Sequence, residues 1–456
     1  MNGKAKYWFV LGLMATFLLI LPFHASAGQD AQKEILELKR RIEQLEKRVE
    51  QNEETSAESE QEWKELRAVK EKFSHISIGG GVTGIVQNAY MEDDWEDDDA
   101  LDGSYSADLE IEIDLDRWGT GFLHLESGDG DNVTDEIGSL TGSNADAMGG
   151  MDSELEISEA LWSFGFLDER LRLTAGKLDP VTLLDDNRVA KDETTQFMAD
   201  IFVDQLAMEW PGDYSPGLQL VAAPNELFDF KAAVLSADTD WEDLANHMFY
   251  AAEIAFHPEF NDLEGNYRFY GWGNDRHHLE WNDAKALISG GPADDADEAN
   301  FGFGVSFDQR LSSDITLFAR YGWQDDDIAA VQGAAISDDN DGLIFEPYGA
   351  IEQSFSLGGE ITGRRWNRPD DRFGMAFGMA MLNDDYEDFL ENYAHDRLVD
   401  GTRGDAGDEY HFEAYYSYYL NEHLAVSPDF QIIANPRGDE DADAAYIVGL
   451  RTQMSF

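Results

Sequence analysis

Cationic residues are scarce in this chain, with 32 Lys plus Arg against 94 Asp plus Glu. Places where they gather beside aromatics therefore invite a chemical reading. Arg364, Arg365 and Arg368 surround Trp366, Arg268 stands close to Tyr270 and Trp272, and Lys177 neighbours Asp179. Guanidinium, ammonium and carboxylate groups exchange hydrogen bonds with hydroxyls, and aromatic faces stack on the apolar faces of sugar rings. These residue types would guide a small neutral polyol. Glu110 and Glu112, in a run with Asp108, Asp114 and Asp116, would impose a negative field on anything passing them. Arg320 and Arg451 join the candidates because alternation puts each on the polar face of its segment. A plainer structural reading stands beside each: arginines in an acidic protein pair with carboxylates, and aromatics at segment ends form interfacial girdles.

Covalent chemistry finds no foothold. The chain has no cysteine, no Gly-x-Ser-x-Gly elbow and no His-Glu-x-x-His, and His277 is adjacent to His278 rather than at helical ligand spacing. Carboxylates are so numerous that no catalytic pair stands out. The acidic stretch at 128–135, GDGDNVTD, offers oxygens for calcium but lacks the twelve-residue loop pattern, and solvated acids are its commoner outcome. The expectation is a protein with no catalytic residue, no metal ligand set and no cofactor. A formal charge of −62 argues against nucleic acid as a partner. Aromatics make up 12% of the chain, so the acids decorate a folded body rather than a disordered one.

The elements that must carry these residues are strands. At 107–116 the sequence ADLEIEIDLD alternates Leu109, Ile111, Ile113 and Leu115 with five acids. Successive strand residues point to opposite faces, so one face is aliphatic and the other carboxylate. At 300–308, Phe301, Phe303, Val305 and Phe307 oppose Gly302, Gly304, Ser306 and Asp308; at 315–324, Ile315, Leu317, Ala319, Tyr321 and Trp323 oppose Thr316, Phe318, Arg320, Gly322 and Gln324. The final residues repeat the theme, with Tyr446, Val448, Leu450, Thr452, Met454 and Phe456 on one face and Arg451 on the other.

In a soluble sandwich the apolar faces would meet in a core; in an outer-membrane barrel they meet lipid, and the polar faces line an aqueous interior. Short turns alternate with long acidic connections such as MEDDWEDDDALDG at 91–103, and a last strand ending in Phe resembles the signal read by the outer-membrane assembly machinery. Both favour the barrel. Before it, Lys4 and Lys6 precede an apolar run that ends at Ala25-Ser26-Ala27, a secretory leader over 1–27. The segment 28–75 carries Ile35, Leu38, Ile42, Leu45 and Val49 at three-four spacing and is expected to form a coiled-coil helix. A homotrimer is one assembly this stripe allows, cell-wall contact is another use for it, and a solitary charged helix is the plain alternative.

At 174–200 the stretch TAGKLDPVTLLDDNRVAKDETTQFMAD resembles the signature region of the carbohydrate-selective porins of OprB type. The matching positions are Gly176, Lys177, Leu178 and Asp179, then Asp185 and Asn187, then Glu193 and Phe197. Further matches occur in GNYRFYGWGN (265–274), DITLFARYGWQD (314–325), RPDDRFGMAFG (368–378) and the stretch 413–436. The resemblance implies an all-β fold, one transmembrane antiparallel β-barrel of sixteen strands over 76–456. It also implies passive diffusion of sugars and other small polar solutes across the outer membrane. The acidic balance departs from the founding members and keeps a cation-preferring porin open as an alternative. A barrel that merely anchors a tethering stalk is the rival from another class.

Overall fold

The computed structural model describes residues 39–41, 74–91, 100–146, 153–212, 214–239, 241–288, 298–331, 336–337, 343–344, 350–392 and 405–456. The expected leader lies outside the described residues. So does the expected coiled coil, apart from a helical stretch at 39–41 and residues 74–75. Residues His75–Phe456 form one unit.

Alternating hydrophobicity gives this unit its long strands. They are β1 (Ile76–Tyr90), β2 (Ala100–Asp114), β3 (Thr120–Gly130), β4 (Glu156–Phe166), β5 (Leu171–Leu178), β6 (Ser215–Asn225), β7 (Phe228–Ser236) and β8 (Met248–Phe256). The second half contributes β9 (Leu263–Glu280), β10 (Glu298–Arg310), β11 (Ile315–Gln324), β12 (Ile351–Thr362), β13 (Arg372–Leu382), β14 (Glu409–Asn421), β15 (Leu424–Ala434) and β16 (Ala445–Ser455). Each pairs antiparallel with its chain neighbours, and β16 pairs back onto β1, which closes a barrel of sixteen strands. At the seam the backbone N–H of Phe456 donates to the Gly80 carbonyl at 3.0 Å, and Gly80 returns the bond at 3.3 Å. Closure removes the unpaired edges that lipid could not satisfy.

The connections are unequal. At the end shared by the start of β1 and the finish of β16 they are short, as at 115–119, 167–170, 226–227, 311–314 and 422–423. At the other end they are long, including 131–155 and 179–214. No helix among the described residues is long and apolar enough to cross a membrane.

Which face points outward is decided by exposure. Phe269 and Phe301 are 51% exposed, Ile254 is 49% and Val448 is 60%, and all point outward. Their strand neighbours Arg268, Asn300, Glu253 and Ile447 are buried on the inside. The expected face assignments for 300–308, 315–324 and 446–456 hold. In β2, Leu109, Ile111 and Ile113 join the outward set with Leu101 and Tyr105, while Glu110 and Glu112 point into the lumen and remain exposed there.

Candidate permeation site

The lumen is not an open pipe. The connection at 179–214 folds inward between β5 and β6 and packs an apolar core against the wall. Val189, Phe197, Ile201 and Phe202 from the segment meet Phe318 of β11, Ala376 of β13 and Tyr415 of β14. Phe197 lies edge-on to Tyr415 at 5.0 Å. Nearby, Leu183, Leu184 and Met208 cover Tyr270 and Trp272. Polar inward faces led to the expectation of an aqueous interior; where the inserted segment touches the wall, apolar side chains are buried instead.

Buried charges pin this segment in place. Asp185 accepts from Nε of Arg320, whose Nη1 donates to the Phe202 carbonyl at 3.1 Å and Nη2 to that of Ala190 at 2.7 Å. Arg451 donates to the carbonyls of Glu193 and Gln196 at 2.5 and 2.8 Å. Glu413 on β14 receives the amides of Met198 and Ala199 at 2.7 and 3.0 Å. Glu209, at the far end of the segment, is gripped by Arg276 at 2.6 Å, His278 at 2.8 Å and Asn300 at 2.8 Å. Each bond satisfies a group that burial would otherwise strand. A second inward piece, around 134–146, is held the same way: Glu409 accepts from the amides of Leu140 and Thr141 at 3.1 and 2.9 Å.

Space remains toward the short-turn end. A cavity of about 320 Å³ opens between Asp186 and Arg188 of the inserted segment and Asp229, Lys231, Glu253, His257, Asn266 and Arg268 of the wall. Its charges alternate in sign and are partly paired. Lys231 lies 3.1 Å from Glu253, Arg268 2.9 Å from Asp308, His257 2.9 Å from Asp229, and Arg188 2.9 Å from Glu264. Such a lining presents donors and acceptors side by side. In the connections, burial pushes the Asp146 and Asp179 carboxyls up to about 7 and that of Glu193 to about 8. Burial, with the Glu126 carboxylate nearby, also raises the Tyr214 phenol.

The residues singled out from sequence are dispersed by this architecture. Arg268 lines the cavity. Arg320 and Arg451 face inward as expected but are only 2% and 1% exposed, spent on holding the segment. Tyr270 and Trp272 also face inward, yet at 4% and 6% exposure they are covered and offer no free ring face. Arg364, Arg365 and Trp366 lie in the turn Gly363–Trp366 between β12 and β13, at the short-turn end rather than in the lumen. Trp366 donates to the Tyr416 hydroxyl at 3.0 Å, Arg365 sits 3.8 Å from Asp314, and Arg368 pairs with Asp371 over the ring of Tyr418. For these, the girdle and ion-pair reading describes the structure. Lys177 lies one residue before the end of β5, its Nζ donating to the Ile157 carbonyl at 2.7 Å, and Asp179 caps the start of the inserted segment through the amide of Val181 at 3.0 Å. The cavity residues Lys231, Glu253 and Asp229 carried no sequence signal beyond their alternation in β7 and β8.

The sequence matches the carbohydrate-selective porin, OprB family, over residues 93–456. The chain belongs to that family. Accordingly it is an outer-membrane porin for small solutes. Among solved structures, OprB of Pseudomonas putida at high pH is similar with a TM-score of 0.69 at 17% identity, covering 86% of this chain and 97% of that one. The low-pH structure of the same protein scores 0.51 at 13% identity, covering 86% and 96%. At these identities the likeness concerns the fold. No curated protein matches the sequence.

Proposed function

We propose that this porin passes sugars and other small polar solutes by diffusion. The cavity beneath the inserted segment carries the reading. Arg188, Lys231 and Arg268 stand there among Asp186, Asp229 and Glu253, so a polyol finds donors and acceptors at every side while no single charge dominates. Arg268 and Lys231 are the proposed solute contacts. Arg320 and Arg451 are positioning residues that set the width through the inserted segment, and Glu110 and Glu112 supply a field at the short-turn end. No step in this passage calls for a catalytic group or a cofactor.

A specific observation keeps the cation-preferring alternative alive: the inward faces of β2, β3 and β4 bring Asp108, Glu110, Glu126 and Glu159 together. An acidic wall favours positive solutes. Reversal potentials in planar bilayers under a salt gradient, with and without added sugars, separate the two. Sugar-dependent block of the ion current, lost in Lys231→Ala with Arg268→Ala, supports the carbohydrate reading. Strong cation preference with no sugar block replaces it with the alternative. For the segment 28–75 the proposal remains a coiled coil that trimerises the porin or contacts the cell wall. Deleting residues 32–72 tests this, and unchanged oligomeric state together with unchanged wall association removes it.

A further inference from the structure

We propose that Asp108, His124 and Glu126 form a binding site for a divalent transition cation such as Zn²⁺ on the lumen wall, a property beyond the solute reading above. Strand geometry assembles it. Asp108 lies on β2, and the alternation Leu123-His124-Leu125-Glu126 on β3 turns His124 and Glu126 to the same inward face. Antiparallel register then sets Asp108 directly opposite Glu126, with His124 one inward position further along. Both carboxylates approach a single imidazole nitrogen. Nε2 of His124 lies 3.3 Å from Oδ1 of Asp108 and 4.0 Å from Oε1 of Glu126. All three donor atoms fall within 4.8 Å of one another. Ligands about 2.0–2.2 Å from a tetrahedral metal are themselves separated by roughly 3.3–3.6 Å, so small side-chain adjustments bring the set onto one ion.

The other ring nitrogen faces a third acid. Register places Glu159 of β4 opposite His124, and its Oε2 stands 3.9 Å from Nδ1. A carboxylate behind the imidazole is the arrangement that orients metal-ligating histidines and directs the lone pair of the far nitrogen outward.

Charge supplies an independent argument. The side chains of Asp108, His124, Glu126 and Glu159 are only 24%, 14%, 8% and 15% exposed. Several buried acids of this lumen face a cation, as Asp185 faces Arg320, Asp308 faces Arg268 and Glu209 faces Arg276. Here the partners are neutral: Glu159 accepts the Asp179 amide at 3.3 Å, and the Tyr214 hydroxyl bonds Glu126. Among the described residues no lysine or arginine pairs with Asp108, Glu126 or Glu159. Three carboxylates round one imidazole retain net negative charge in either protonation state of the ring, and sequestered negative charge is costly without a counter-charge. A divalent ion offsets most of it. One imidazole with two carboxylates suits borderline ions such as Zn²⁺, whereas Ca²⁺ and Mg²⁺ prefer oxygen-only shells. The site borders the lumen water, so an occupied site removes most of the local negative charge of the wall and obstructs passage beside it.

The test uses the full-length porin in planar bilayers, titrated with Zn²⁺ or with Ca²⁺, and equilibrium dialysis of the detergent-solubilised protein against Zn²⁺. The expected result is saturable Zn²⁺ block with one high-affinity ion per chain. His124→Ala is expected to weaken both at least tenfold, while Asp114→Asn, lower on the same face of β2, changes neither. Asp108→Asn serves as the second ligand variant should His124→Ala fail to assemble. Equal block by Ca²⁺ and Zn²⁺, or Zn²⁺ affinity unchanged in both ligand variants, overturns the site and leaves only diffuse attraction to an acidic wall.

Discussion

Arg320 of β11 and Asp185 of the inserted segment form an ion pair sealed from water, their side chains 1% and 2% exposed. Removing one partner leaves a buried charge unmatched, at a cost of about 3–5 kcal/mol. Arg320→Ala is therefore expected to free the segment from the wall while the outer barrel, held by strand pairing, still assembles. Single-channel recording should show larger and noisier conductance than the parent. Replacing the pair together, Arg320→Met with Asp185→Leu, should restore much of the quiet behaviour. Parental conductance and noise in Arg320→Ala would show that the pair does not hold the constriction.

Trp272 and Tyr270 lie across from Gly302 and Gly304 in register, and the absent side chains make room for the rings. A Cβ on Gly302 would stand 2.3 Å from the Trp323 carbonyl oxygen and 2.7 Å from Nε1 of Trp272. Gly302→Ala is accordingly expected to destabilise the barrel by about 1–3 kcal/mol. Gly271 provides the comparison, since a Cβ there meets only the Gly302 oxygen at 3.6 Å. Thermal unfolding followed by the gel shift of folded against unfolded barrel should show a lowered midpoint for Gly302→Ala alone.

Asp146, Asp179 and Glu193, all in connections outside the strands, have folded values raised by burial to about 7, about 7 and about 8, from ordinary values of 3.8, 3.8 and 4.5. The folded protein thus holds protons that the unfolded chain has released. Their contribution to stability is fully present below about pH 4 and is lost as pH rises through about 7 to 8. The same titration changes the lumen charge. Cation-over-anion permeability should fall when the pH is lowered from about 8.5 to about 5.5, and the triple variant Asp146→Asn, Asp179→Asn, Glu193→Gln should flatten the profile. Reversal potentials read this directly, and an identical pH profile in parent and variant would count against it.

The wall was legible in the sequence because its cause is local. Phe301 to Phe307, Ile315 to Trp323 and Tyr446 to Phe456 alternate with few exceptions, Phe318 and Ile447 among them, and the exposed outward set is the set that period two selects. The interior was less legible because its cause is remote. Whether Tyr270, Trp272 or Phe318 meets water or a dry partner depends on residues 179–214, and alternation in β9 or β11 carries no trace of them. Scarcity made the arginines conspicuous without saying which end of a strand they occupy. Arg364 and Arg365 therefore looked like a lumen cluster and belong to a turn. His124 was missed for the opposite reason. Its segment, Leu123 to Glu126, shows the alternation plainly, but only cross-strand register reveals that Asp108 and Glu159 converge on it.

The hydrogen bonds between Gly80 and Phe456 join the first and last strands of the barrel. Every other neighbouring pair of strands is also adjacent along the chain, so hairpins could accumulate one by one. This single junction joins strands far apart in the chain, and the ring stays unfinished until β16 is available. Closure is thereby deferred until that strand arrives, and the partly paired chain must be kept from associating with itself until then.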